Sequence, residues 1–126
     1  MTCPLRLLPM DKLQMPKPYL KESEAPAPDE LNALPGFALI EFGTDWCGHC
    51  RAAQSALDAV LAQHPQLHHV KVEDGPGRAL GRSYRVKLWP TLVLLRDGQE
   101  VARLVRPTEA GDISAALADQ MGAGIS

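Results

Sequence analysis

Trp46-Cys47-Gly48-His49-Cys50 places two cysteines three positions apart, after an apolar run from Ala38 to Phe42 and before an amphipathic run from Ala52 to Leu61. That succession reads as strand, sharp turn and helix. The first sulfur then lies at a helix N-terminus and the second one turn further in, on the same face. Peptide N–H groups and the helix dipole favour negative charge at that end, so the first thiol should ionise more readily than a free one. A thiolate beside a second thiol is the minimum equipment for making and breaking disulfides.

The spacing also fits half of a zinc site, which needs two further ligands at suitable distances. Cys3 is the only other cysteine and lies far upstream among prolines. His68 and His69 are adjacent, so on a strand they point to opposite faces. The ligand spacing therefore favours redox chemistry, and no metal is expected.

Outward from the motif, Ala38 to Phe42 is apolar except at Glu41, as for a strand covered on both faces. Ala53, Ala56, Leu57, Val60 and Leu61 follow helical spacing, and Pro65 marks that helix's end. Leu67 to Val72 reads as a strand and Arg78 to Tyr84 as a short helix. Thr91 to Arg96 and Gln99 to Arg106 read as strands joined by the tight turn Asp97-Gly98. Ala110 to Met121 is the last helix, with Ile113, Leu117 and Met121 in one stripe and Gly122 as its cap. Residues 1–36 hold seven of the eleven prolines. They predict an extended or partly disordered arm with one short helix near Asp29 to Leu34, followed by a domain over residues 37–126.

Three segments in order carry a family resemblance. Ala38 to Asp45 with the Cys47–Cys50 pair is similar to the central strand and active site of the thioredoxin superfamily. Leu88-Trp89-Pro90-Thr91-Leu92 looks like its cis-proline loop, and Arg96 to Val101 like its terminal hairpin. The Cys-Gly-His-Cys form resembles protein disulfide isomerase more than thioredoxin, which has proline where His49 stands. The resemblance implies an α/β thioredoxin-like fold, with a mixed central sheet flanked by helices on both faces. It implies a thiol–disulfide oxidoreductase without a bound cofactor, working through a redox-active Cys47–Cys50 disulfide. Cys47 is then the nucleophile and Cys50 the resolving thiol. Trp46, Gly48, Trp89 and Pro90 would line the substrate groove, with the Trp89–Pro90 bond cis. The chain departs from the family at Trp89, Gly43-Thr44, Ser55 and Arg106-Pro107.

Two further residues carry chemistry. A positive charge on His49 would stabilise a thiolate on Cys47. Glu41 is the sole charge in an apolar strand, costly there unless paired or protonated. It matches the buried acid that in thioredoxins moves a proton to or from the resolving cysteine. A structural pair with Lys71 or His69 is the other reading. Left unpaired, such an acid would make Glu41→Ala stabilising.

The chain of 126 residues suits one domain with a modest core. Its net charge of −2 points to no nucleic-acid or anionic-membrane partner. No apolar run approaches a membrane span. Met1 to Met15 lacks the apolar core of a signal peptide, which places the chain in the cytoplasm, or in the periplasm if a native signal was removed. The expected partners are protein dithiols and disulfides, with a flavoprotein reductase or another dithiol protein as redox partner, acting on a monomer. The competing reading is a thioredoxin-fold interaction module whose dithiol is regulatory or vestigial.

Overall fold

The computed structural model describes residues 18–65 and 67–121. A four-stranded mixed sheet in the order β2-β1-β3-β4 is built from β1 (Phe37–Gly43), β2 (His68–Glu73), β3 (Thr91–Arg96) and β4 (Gln99–Val105). β1 runs parallel to β2 and antiparallel to β3, and β3 pairs antiparallel with β4. The hairpin turn places Asp97 and Gly98 both at positive φ, the geometry its sequence predicts. Helix α1 (Pro28–Asn32) precedes β1, α2 (Gly48–Leu61) and α3 (Ala79–Ser83) connect strands, and α4 (Ala110–Met121) follows β4.

Strand alternation sorts the core onto two faces. Ala38, Ile40, Phe42, Val93 and Leu95 face one side, where Leu31 of α1 and Leu80 of α3 cover them. Leu39, Leu92 and Leu94 face the other, under Leu57 and Val60 of α2 and Ile113 and Leu117 of α4. Both sides of β1 are thereby buried, which is why its sequence is apolar almost throughout.

The sequence places the first sulfur at the start of α2, and the helix begins at Gly48, with its amphipathic run from Ala52 inside it. Cys47 is its N-cap, with extended backbone angles and a sulfur that accepts from the Cys50 N–H at 3.3 Å. The sulfur there takes the place of the usual serine or aspartate oxygen. The short helix expected near Asp29 to Leu34 spans Pro28–Asn32. Proline stands in its first turn, and Glu30 accepts from the Ala27 N–H at 2.8 Å.

Upstream of α1, Leu20, which belongs to no strand, makes a single parallel bridge to Val72 of β2. Its N–H donates to the Lys71 carbonyl at 2.7 Å, and its own carbonyl accepts from Glu73 at 2.9 Å. Lys21 adds an ion pair to Glu73, which also binds Arg78. This short segment brings Tyr19 onto the α2 side of the sheet. Cys3 and Gly122 lie outside the described residues.

Candidate active site

The β1–α2 turn delivers both sulfurs. Cys47 and Cys50 are free thiols, Cys47 retaining 7% exposure against 1% for Cys50. Burial opposes ionisation of Cys47. Hydrogen bonds from the Cys50 thiol, from the backbone N–H groups of Cys50 and His49, and the charge of Arg106 outweigh it and hold its pKa below the usual thiol value. Cys50 is pushed the other way, up to about 11, by burial first and then by the neighbouring Cys47. A helix N-terminus thus divides two identical side chains into an easily ionised outer thiol and a protonated inner one.

His49 is exposed and acts on Cys47 through its backbone N–H. Arg106 adds a charge that also lowers the Cys47 pKa. Arg106 has φ +53 and donates from Nε to the Trp89 carbonyl at 2.9 Å. The sequence marked this arginine as a departure from the family and assigned it no role, because its approach to Cys47 depends on how β4 ends.

The Trp89–Pro90 peptide bond is cis, as the resemblance implies. Trp46 is 71% exposed and packs edge-on against Trp89, ring centroids 5.6 Å apart. The Trp89 indole N–H donates to Asp74 Oδ2 at 2.8 Å, which fixes the ring. Gly48 is exposed beside Cys47, with nothing near the position a Cβ would take. The Trp46–Trp89 contact thus joins the cis-proline loop to the residue ahead of Cys47.

Glu41 lies behind it, 1% exposed, on the α2 side of β1. The parallel register sets Leu39 beside His69 and Glu41 beside Lys71, so both basic residues share its face. Glu41 Oε1 lies 2.9 Å from His69 Nε2, and Oε2 accepts from the Tyr19 hydroxyl at 3.1 Å. Lys71 donates to Gln54 of α2 at 3.0 Å and sits 4.4 Å above the Tyr19 ring. The acid is embedded in a polar network. Sequence reasoning named His69 and Lys71 and missed Tyr19, a single aromatic in a proline-rich arm with no periodicity to place it. Beside Cys50 a cleft of about 520 Å³ is lined by Tyr19, Thr44, Arg51 and Lys71 among others. Among the described residues no group of three or more His, Cys, Asp or Glu could hold a metal ion.

The family model for thioredoxin matches residues 25–119. The chain belongs to the thioredoxin family. The thioredoxin of Chlamydia trachomatis serovar D is 37% identical over 70 residues, covering 56% of this chain and 69% of that protein. The reduced form of thioredoxin 2 from Pseudomonas aeruginosa PAO1 superposes with a TM-score of 0.76 at 56% identity, over 87% of this chain and 100% of that one. Trxlp from Edwardsiella tarda EIB202 does so with a TM-score of 0.61 at 30% identity, over 69% and 86%. This thioredoxin-family chain is a thiol–disulfide oxidoreductase with a Cys47–Cys50 CxxC pair. An interaction module with a vestigial dithiol is not the reading these relatives favour.

Proposed function

We propose that this chain reduces protein disulfides, with Cys47 as the attacking thiolate and Cys50 as the thiol that releases the product. The asymmetry of the two sulfurs carries the reading: the outer one is held below the usual thiol value and the inner one is raised to about 11. Nucleophilic attack needs the first property. An inner thiol that stays protonated lets the mixed disulfide form before it is resolved. Glu41 is the group that takes the Cys50 proton, on the strength of its burial on the same face of the sheet. Trp46, Gly48, Trp89 and Pro90 are the surface against which a partner's extended cysteine segment lies.

The proposed electron donor is a flavoprotein reductase or another dithiol protein, which returns the Cys47–Cys50 disulfide to the dithiol. We propose the cytoplasm as its compartment, on a cysteine usage that favours a catalytic pair over structural staples.

Insulin reduction tests the assignment. Wild type should turn over, Cys47→Ser should be inactive, and Cys50→Ser should accumulate a mixed disulfide at Cys47. Trapping at Cys50 in Cys47→Ser would reverse the two roles.

A further inference from the structure

We propose that Tyr19, brought in by the segment ahead of the thioredoxin core, forms the proton path from Cys50 to Glu41 and is a catalytic residue of product release. The proposal rests on the roles assigned above to Cys47 and Cys50. Two geometric facts carry it. The Tyr19 hydroxyl already donates to Glu41 Oε2 at 3.1 Å. The same oxygen and the Cys50 sulfur crowd the space above Gly43, where a Cβ would lie 2.8 Å from one and 2.5 Å from the other. One hydroxyl thus stands between the thiol and the acid, and the missing glycine side chain is what admits both.

The ring is held for this task. Backbone hydrogen bonds of Leu20 on either side of the β2 edge fix the segment, and Lys71 covers the ring at 4.4 Å. Tyr19 is 7% exposed. Burial, then the nearby Glu41 and Cys50, raise its pKa far above the usual phenol value. Tyr19 therefore relays a proton and does not ionise. Once its own proton has passed to Glu41, the proton received from Cys50 lets the hydroxyl donate back to the Cys50 thiolate and favour it. The groups facing the relay are Glu41 and His69 from the sheet, Lys71 beside them, and Cys50 from α2.

In the mixed disulfide, Cys47 is bonded to the substrate sulfur. The Cys50 thiol passes its proton to the Tyr19 oxygen while the Tyr19 hydroxyl passes its own to Glu41. The Cys50 thiolate attacks the Cys47 sulfur. The Cys47–substrate bond breaks, its electron pair leaves on the substrate sulfur, and the Cys47–Cys50 disulfide forms. The dithiol is oxidised by two electrons and the substrate disulfide is reduced by two. The proton on Glu41 returns to water through the cleft that Tyr19, Thr44 and Arg51 line beside Cys50.

Stopped-flow reduction of insulin, resolving mixed-disulfide formation from product release, tests this with wild type, Tyr19→Phe, Glu41→Gln and the double variant. Phenylalanine keeps the buried ring, and glutamine keeps the shape of the acid. Tyr19→Phe should form the mixed disulfide at a rate within about twofold of wild type. It should release product about tenfold to a hundredfold more slowly, the size of a lost hydrogen bond to a charged group. The release–pH profile should shift as well. The double variant should be no slower than the slower single one, because both remove one path. Wild-type release by Tyr19→Phe, equal slowing of both phases, or additive losses would each overturn the relay alone. Failure of Cys50→Ser to trap a mixed disulfide would overturn the thiol roles, and the relay with them.

Discussion

The Nε of Arg106 donates to the carbonyl of Trp89 at 2.9 Å, and the Arg106 N–H donates to the Pro90 carbonyl at 2.8 Å. A cation at the end of β4 is thereby fastened to the two residues of the cis peptide bond. The arginine holds φ +53 to do so, a left-handed conformation costing an L-residue about 1–2 kcal/mol.

Arg106→Gly should move the Cys47 titration to higher pH, because it removes the charge that favours the thiolate. Stability should change little: relief of the left-handed backbone offsets a lost hydrogen bond of about 0.5–1.5 kcal/mol. Thiolate absorbance against pH and a thermal melt check the two halves. An unmoved titration would leave the helix terminus as the whole cause.

At His49 the backbone N–H contributes to the lowered Cys47 pKa. His49→Pro removes the N–H that points at the Cys47 sulfur and should raise the Cys47 pKa. His49→Ala keeps that N–H and should raise it less. Parallel thiolate titrations of the two variants measure the difference, and identical shifts would return the role to the imidazole.

Glu41→Ala reverses an expectation. An acid alone in an apolar strand would be stabilising to remove, but Tyr19 and His69 both contact Glu41. The alanine variant should lose about 1–3 kcal/mol, the penalty for stripping a buried partner from its donors. Urea unfolding gives the number, and a gain in stability would mean the network contributes nothing.

Gly43→Ala should be costly without touching any motif. Its methyl would meet Cys50 Sγ at 2.5 Å and the Tyr19 oxygen at 2.8 Å. Overpacking of this kind destabilises by about 1–3 kcal/mol. The variant should melt earlier and show altered Cys50 reactivity; an unchanged melt would mean the arm yields freely.

The two thiols predict a pH dependence for the reduced protein. Cys50 has its folded pKa raised to about 11. Its contribution is fully present below the ordinary thiol value of about 8.5 and is lost as pH rises from there toward about 11. Cys47, with its pKa lowered, contributes above the ordinary value and loses that contribution as pH falls. Cys50→Ala should therefore flatten the decline of urea midpoint on the alkaline side. Alkylation of wild type at neutral pH should label Cys47 first.

Much of this molecule was legible in one dimension. Cys47, Gly48 and Cys50 declare a helix start because an apolar strand precedes them and helical spacing follows. Asp97-Gly98 declares a hairpin because few residues tolerate its backbone angles. Those signals are local, so the sequence by itself determined the order of strands and helices, the dithiol and its family. What surrounds the dithiol is not local. Tyr19 reaches Glu41 across 22 positions, and His69 across 28. Arg106 touches Trp89 from 17 positions away. Each meeting depends on sheet register and on which face a side chain takes, and a strand shifted by one residue would turn Glu41 away from Cys50. Only the tertiary structure decided that the acid is partnered, that Arg106 brings a charge near Cys47, and that the arm carries a hydroxyl to the inner thiol.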